Sequence, residues 1–313
     1  MNLEVNKLHR RRWLQLALYG GGLSSAAVAR LFSAHAQENM THRFRYALCN
    51  ELLDDRPLDR AFALIAECGY EGVEIAPFTI AERVDEISSA RRKEIRRRAE
   101  DNGLKIIGLH WLLAKTEGLH LTSPDPAVRR RTADYLKLLA NFCAELGGGV
   151  LVFGSPKQRN LAEGITLDEG LQYAAEVFHA VLPELEKAQV TLALEPLAPT
   201  ETNFLTTAAE AMKLIRLVDS RWCRLHLDCK AMSSENEPIP TLIRRHAKEM
   251  VHFHANDPNL QGPGFGRLDF QPIMAALAEI DYRGWVSVEV FDYSPGRERL
   301  ARESIRNLRR AAS

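Results

Sequence analysis

Short apolar runs alternate eight times with longer amphipathic runs from residue 44 to the end of this 313-residue chain. The longer runs repeat their apolar residues with the period of a helix, as in 128–146, 171–187 and 208–218. Strict alternation of strand and helix through short connections predicts a parallel sheet. The eight predicted strands cover residues 44–49, 72–76, 104–111, 149–153, 190–194, 223–228, 250–254 and 285–290.

The number and length of these units distinguish two kinds of parallel sheet. Eight units in roughly 270 residues match a closed (β/α)8 barrel. An open doubly wound sheet usually carries a G-x-G-x-x-G motif after its first strand, and this chain has Cys49-Asn50-Glu51-Leu52-Leu53-Asp54 there. No linker-like change of composition interrupts the pattern. The sequence therefore predicts an α/β fold with one domain, a (β/α)8 barrel over residues 37–313.

The first 36 residues have the pattern of an export signal rather than of a folded segment. Arg10-Arg11-Arg12 precedes a weakly apolar stretch, 16–29, and Ala34-His35-Ala36 ends the segment with a small-x-small cleavage site. Consecutive arginines in this setting resemble a twin-arginine signal peptide, which exports proteins already folded. Glycines interrupt the apolar stretch and an arginine follows it, so it fits poorly as a membrane span. We expect a periplasmic protein.

The charge of the remaining chain excludes several classes of partner. The whole sequence has 41 basic and 41 acidic residues, and removing residues 1–36 leaves 36 basic and 40 acidic ones, a net charge of −4. A mildly acidic body lacks the basic surface that binds nucleic acid or an anionic membrane. The five cysteines are scattered without a C-x-x-C pair, so they form neither a disulfide framework nor a zinc knuckle.

Four residues of metal-binding type end four consecutive predicted strands. Glu195 ends the fifth strand, Asp228 the sixth, His254 the seventh and Glu289 the eighth. Each lies in an apolar run, where burying a charged group costs free energy unless a partner compensates it. In a barrel the carboxyl ends of the strands share one rim. The four side chains therefore predict one bound divalent cation, with Mn²⁺ favoured and Mg²⁺, Co²⁺ or Zn²⁺ compatible with the ligands.

The sequence around these residues resembles a known family. The resemblance covers the chain from about residue 44 onward and is most specific at 194–196, 226–228, 252–257, 262–266 and 284–289. These stretches resemble the sugar phosphate isomerase/epimerase family, within the xylose isomerase-like TIM-barrel superfamily. The resemblance implies that Glu195, Asp228, His254 and Glu289 are the metal ligands.

The same superfamily contains apurinic-site endonucleases, which resemble the chain at His254, Asn256 and Asp257. Those enzymes also carry a histidine three residues after the sixth-strand aspartate and a D-x-H pair, which hold additional zinc ions. Here Ala231 occupies the first position and no D-x-H follows His254. These differences and the acidic body argue against DNA repair. The superfamily's 3-epimerases share that histidine as a substrate-side group, and Ala231 departs from their pattern as well.

Other polar residues near the predicted rim are candidates for supporting roles. If Asp228 and His254 point into the barrel, His226 and His252 point inward one layer below, where they support the ligands or fill the core. Glu74, in the second strand, could instead form a buried ion pair. Lys157 and Arg159, after the fourth strand, could instead lie in a solvated loop. The candidates for substrate contact are Glu74, His110, Trp111, Lys157, Arg159 and Asn256.

A metal flanked by Glu195 and Glu289 suits proton transfer next to a carbonyl. One glutamate removes a carbon-bound proton to form an enediolate, and the other returns a proton to the opposite face or to the neighbouring carbon. The sequence and the resemblance together indicate a metal-dependent sugar or keto-sugar isomerase or epimerase. A lyase or dehydratase that eliminates a group from an oxidised sugar or glycoside is the alternative, and a sugar-binding protein without turnover is the third class.

These interpretations define the expected partners. The substrate is a small carbohydrate, and an exported protein rarely meets intracellular sugar phosphates, so we expect it to be unphosphorylated. We expect no nucleic acid partner and no membrane span, and a homo-oligomer is compatible with the sequence.

The export signal leads to a prediction about the mature N-terminus. We expect the native protein to begin at Gln37, because cleavage after Ala36 removes the whole signal. Mass spectrometry of the protein purified from its periplasmic fraction measures this directly. An intact Met1, or protein confined to the cytoplasm, would contradict the prediction.

Overall fold

Eight parallel strands close into a barrel in the computed structural model of the chain, which describes residues 42–313. Each strand pairs in parallel with the next, and β1 pairs with β8. This confirms the predicted α/β barrel, while the predicted export signal, residues 1–36, lies outside the described residues. The strands are β1 Arg45–Cys49, β2 Gly72–Ile75, β3 Lys105–Leu109, β4 Val150–Phe153, β5 Thr191–Leu194, β6 Cys223–Asp228, β7 Met250–Ala255 and β8 Trp285–Val288.

Helices follow the strands and cover the outside of the barrel. Their ends have local causes: a capping box between Thr166 and Glu169 starts α4, and Gly147, with φ of +88°, ends α3 in a left-handed conformation that glycine adopts without strain. The helices are α1 Leu58–Cys68, α2 Ser89–Asp101, α3 Pro126–Leu146, α4 Leu167–Ala188, α5 Ala208–Val218, α6 Cys229–Met232, α7 Ile239–Arg245, α8 Gln271–Glu279 and α9 Arg297–Ala311. Among residues 42–313, none of them is long and apolar enough to cross a membrane.

The register of β6 and β7 determines which side chains share a layer inside the barrel. His226 is paired with His252, and Asp228 with His254. All four side chains are buried, and the His226 and His254 ring centroids lie 4.2 Å apart. Because side chains alternate in direction along a strand, the two pairs form two successive inward layers. The register therefore places His226 and His252 one layer below Asp228 and His254, as the sequence predicts.

Arg159 joins the loops that follow β4 and β5. Its guanidinium donates hydrogen bonds to the backbone carbonyls of Phe153 at 3.2 Å, Phe204 at 3.1 Å, Glu195 at 2.7 Å and Leu205 at 3.3 Å. The side chain has no exposed surface, and burial lowers its pKa to about 10, which leaves it charged at neutral pH. Arg159 was predicted to contact substrate, and in this structure its donors are instead occupied by these carbonyls.

Arg159→Met should destabilise the fold, because it removes four hydrogen bonds that a buried guanidinium donates to backbone carbonyls. We expect a loss of about 3 kcal/mol in the free energy of unfolding, measured by chemical denaturation. Lys157→Met is a matched control in the same loop, since Lys157 is exposed, and it should change stability by no more than about 0.5 kcal/mol. Equal stabilities of the two variants would contradict the role given to Arg159.

Candidate metal centre

The four residues predicted as metal ligands meet at one end of the barrel. Glu195 and Glu289 directly follow β5 and β8, Asp228 is the last residue of β6, and His254 lies near the end of β7. Ligand-type atoms of Glu195, Asp228, His254 and the neighbouring His226 all lie within 4.8 Å of one another. Glu289 joins this group through His254, whose Nδ1 is 3.1 Å from its Oε2. The fold thus brings all four predicted ligands together, and each is at most 5% exposed.

His254 lies between two carboxylates. Its Nε2 is 3.2 Å from Oε2 of Glu74, and its Nδ1 faces Glu289. Burial lowers the pKa of the imidazole, but Glu74 and Glu289 outweigh this and raise it well above its usual value. If Nε2–H donates to Glu74, a lone pair on Nδ1 repels Glu289 unless a proton or a metal ion lies between them. A hydrogen-bonded carboxylate on the far nitrogen is the arrangement that orients metal-binding histidines.

Glu74 is a support for this histidine rather than a group at the pocket surface. Its side chain is completely buried and accepts a hydrogen bond from Nε2 of His252 at 2.8 Å as well as the contact from His254. Burial raises the pKa of the Glu74 carboxyl, but His252 and His254 outweigh it and hold this pKa well below its usual value. Of the two interpretations open for Glu74, substrate contact and a buried ion pair, the structure shows the buried contacts with His252 and His254. His252 accordingly supports His254 through Glu74.

Asn256 holds Asp228 in place. Its Nδ2 donates to Oδ2 of Asp228, and its Oδ1 accepts from the backbone N–H of Lys230 at 2.8 Å. The other oxygen of Asp228 accepts from the backbone N–H of Ala231 at 2.7 Å, which caps the short helix α6. Asn256 has no exposed surface and both of its polar atoms are used. It therefore positions Asp228, whereas the sequence predicted that it contacts substrate.

Glu195 occupies space that a glycine leaves free. A Cβ atom at Gly154, just after β4, would overlap Oε2 of Glu195. The other oxygen of this carboxylate, Oε1, lies 3.8 Å from Nε2 of His226. That histidine is completely buried, and neither of its ring nitrogens has a hydrogen-bond partner among the described residues. A buried imidazole without partners beside a carboxylate fits a site that binds a further group.

The carboxylates oppose each other electrostatically. Burial, with Glu289 and Asp228 nearby, raises the pKa of Glu195 well above its usual value, and burial raises the pKa of Asp228 to about 6. Burial also acts against the charged form of Glu289, but His254 outweighs it and lowers the pKa of this carboxyl. Three buried carboxylates cannot all be charged without a cation among them. The donor set of oxygens with one imidazole nitrogen fits a divalent ion such as Mn²⁺.

A narrow pocket opens above these residues. Glu195 and Glu289 form its base, and Trp111 and Phe291 form part of its wall, with ring centroids 6.2 Å apart. The other lining residues are His110, Gly154, Pro156, Leu197, Glu201 and Lys230. Two of the predicted substrate contacts, His110 and Trp111, therefore lie where a substrate would bind, whereas Lys157 is exposed and is not part of the lining.

His110 is held by a residue that sequence reasoning missed. Its Nε2 lies 2.8 Å from Oε2 of Glu51, which is buried in the turn after β1. Burial raises the pKa of Glu51, although His110 opposes this, so the two groups are linked electrostatically. The position of Glu51 beyond the carboxyl end of β1 was a signal that could have identified it, since all strand ends share one rim.

Comparison with known proteins agrees with this fold and site. A family model described as a xylose isomerase-like TIM barrel matches residues 62–311. The chain belongs to this family. The predicted resemblance to sugar isomerases and epimerases is thereby confirmed.

Individual relatives of the chain are sugar epimerases. The D-psicose 3-epimerase of Ruminiclostridium cellulolyticum is 29% identical over 231 residues, which cover 72% of this chain and 76% of that protein. The fructoselysine 3-epimerase of Escherichia coli O157:H7 is 24% identical over 264 residues, covering 81% and 93%. A solved structure of the D-psicose 3-epimerase from Clostridium cellulolyticum H10 with D-tagatose has a TM-score of 0.77 at 21% identity, covering 86% of this chain and all of that one. The relatives support an enzyme of the isomerase or epimerase type.

Gly154→Ala should impair metal binding without unfolding the barrel, because the added methyl group displaces the Glu195 carboxylate. We expect about one divalent ion per wild-type chain, and at least about a tenfold weaker metal affinity in the variant, as for loss of a supporting contact. Elemental analysis and metal titration measure this. Gly149→Ala is the matched control, since a Cβ there meets no atom within 4 Å. Equal metal affinity in the two variants would contradict the predicted role of Glu195 as a ligand.

Proposed function

We propose that this chain is a metal-dependent epimerase of uncharged keto-sugars, which moves a proton through an enediolate. The observation that carries the proposal is the placement of Glu195 and Glu289 at the base of one pocket, beside Asp228 and His254. The two glutamates come from β5 and β8, so they reach the pocket from different sides of the barrel. Two carboxylates at separate positions around one carbon can exchange its proton between opposite faces.

The four ligands would hold one divalent ion, with Mn²⁺ favoured. When bound, such an ion supplies Lewis-acid stabilisation of negative charge on the substrate's carbonyl and adjacent hydroxyl oxygens. One glutamate accepts the proton from the carbon next to the carbonyl, and the electron pair of that C–H bond moves towards the carbonyl oxygen. The other glutamate donates a proton to the opposite face of the same carbon, which inverts its configuration. The Glu74 carboxylate, 3.2 Å from Nε2, would hold the orientation of His254.

The charges of the pocket support an uncharged substrate. A phosphate needs unpaired cationic donors, and the guanidinium of Arg159 is occupied by backbone carbonyls. Lys230, the one ammonium group among the described lining residues, is already paired with Glu201 at 2.6 Å. The names of two relatives, a D-psicose and an L-ribulose 3-epimerase, also support uncharged, unphosphorylated ketoses. Such substrates agree with the periplasmic location that we propose for the mature chain.

The reaction class is tested by incubating the metal-loaded protein with keto-sugars in deuterated water. We expect D-psicose, D-fructose, D-tagatose, L-ribulose or a 3-keto-glucoside to incorporate deuterium at the carbon that changes configuration, detected by NMR. Loss of a substituent from the sugar would identify a lyase instead. Binding without exchange would identify a sugar-binding protein, and either result would overturn the proposal.

Glu195→Gln and Glu289→Gln separate proton transfer from metal binding. Each glutamine keeps the size and one oxygen donor of the glutamate but cannot accept a proton at neutral pH. We expect either change to lower kcat by about 10²–10⁴-fold, the usual contribution of a positioned acid or base. The variant without the deprotonating base should lose deuterium exchange completely, whereas the other should retain some exchange without forming product.

The control for these variants is Glu184→Gln, which removes a partly exposed carboxylate that pairs with Lys187 on α4. It should leave kcat unchanged. Metal content is measured in parallel, because loss of a charged ligand also weakens metal binding. Near-normal kcat in either variant with its metal retained would refute the two-glutamate mechanism.

A further inference from the structure

His226 is a buried imidazole that the proposed proton transfer does not use. It lies in β6 two residues before Asp228, has no exposed surface, and forms no hydrogen bond through either ring nitrogen within residues 42–313. Large apolar side chains fill the interior of most (β/α)8 barrels. A polar side chain buried there is unfavourable unless something binds it, so this imidazole indicates a further bound group.

The other histidine of the same layer differs from His226 in this respect. His252 is paired with His226 in the register of β6 and β7, but its Nε2 lies 2.8 Å from Oε2 of Glu74. A neutral imidazole has one N–H donor and one lone pair, and the lone pair is what binds a metal ion. Of these two histidines, only His226 has both ring nitrogens available for such a bond.

The groups nearest to His226 are predicted metal ligands. Ligand-type atoms of His226, Glu195, Asp228 and His254 all lie within 4.8 Å of one another, and Nε2 of His226 is 3.8 Å from Oε1 of Glu195. Two atoms that bind one ion at about 2.1 Å each lie at most about 4.2 Å apart. Small side-chain shifts therefore bring this imidazole within reach of the ion that the other three residues would hold.

His226 reaches these groups from inside the barrel rather than from the pocket. It belongs to the layer below Asp228 and His254, and in the described part of the chain it does not line the pocket. A nitrogen ligand on this side would leave the pocket side of the ion open to substrate. It would also add a donor without adding charge, because the number of carboxylates beside the ion stays the same.

We propose that His226 is an additional ligand of the metal ion and that it determines which ion the site prefers. With His254 it gives the site two imidazole nitrogens instead of one, beside the carboxylates of Glu195, Asp228 and Glu289. Imidazole favours transition-metal ions, whereas Mg²⁺ favours oxygen ligands. The site should therefore discriminate against Mg²⁺ more strongly than it would with one histidine. This inference rests on the proposed function, because it concerns the same ion.

The ligand role is tested by pulsed EPR on the full chain loaded with Mn²⁺, since each coordinated imidazole adds a hyperfine coupling from its nitrogen. We expect two coordinated imidazoles in the wild type and one in His226→Leu. His252→Leu is the matched control, because it removes an imidazole from the same layer, and it should retain two. The wild-type spectrum is decisive by itself, so the test does not depend on the folding of a variant.

The other spectra separate this inference from the proposed function. One coordinated imidazole in the wild type, or two in His226→Leu, would overturn the inference, and ketose turnover by the same Mn²⁺-loaded protein would show that the proposed function stands. Absence of any coordinated imidazole, or of bound Mn²⁺, would contradict both, because His254 is a ligand in each.

The preference for one ion is measured by calorimetric titration of metal-free protein with Co²⁺ and with Mg²⁺. The ratio of the Mg²⁺ to the Co²⁺ dissociation constant should fall at least about tenfold in His226→Leu, because the lost nitrogen contributes more to Co²⁺ binding than to Mg²⁺ binding. His179→Leu, which replaces an exposed histidine on α4, should leave the ratio unchanged. Equal ratios in the two variants would overturn the role of His226 in ion selection.

Discussion

The contact of His254 with two carboxylates is the constraint on which the candidate site depends. Glu74 and Glu289 face opposite nitrogens of one buried imidazole, and Asp228 and Glu195 lie beside it. Buried carboxylates in this number are unfavourable unless a proton or a metal ion neutralises them. The contacts around the four predicted ligands hold these carboxylates close together in spite of their repulsion. The positions of the ligands therefore depend on these contacts.

Arg159 makes the stability of the barrel and the geometry of the site depend on each other. It donates to the backbone carbonyl of Glu195, the residue whose side chain forms the base of the pocket, and to the end of β4. Gly154 directly follows the end of β4, and a side chain there would overlap the Glu195 carboxylate. Arg159 and Gly154 therefore both shape the loops after β4 and β5 and position the side chain of Glu195. Geometry of this kind is set by the second layer of contacts rather than by the ligands alone.

The fold and the four ligands could be predicted from sequence because both follow from local pattern. Alternating strands and helices place all strand ends on one rim, so a charged residue that ends an apolar run marks the site. Arg159, Glu74 and Asn256 lie near the site as predicted, but the sequence does not show which groups their side chains contact, because those groups come from other parts of the chain. The carbonyl of Phe204, one partner of Arg159, comes from a loop 45 residues away in sequence, which no local pattern identifies. Glu201 was missed for the same reason.

Strand ends and loops make different contributions to the pocket. Asn256 binds both the carboxylate of Asp228 and the backbone of Lys230, so a predicted metal ligand and the pocket's ammonium group are fixed by one side chain. The partner of that ammonium, Glu201, comes instead from a loop, and loops can vary without disturbing the strand framework. A barrel can therefore keep the groups at its strand ends while changes in its loops alter the groups that line the pocket. In this chain the predicted ligands lie at the strand ends, and the pocket lining also takes residues from the loop between β5 and α5.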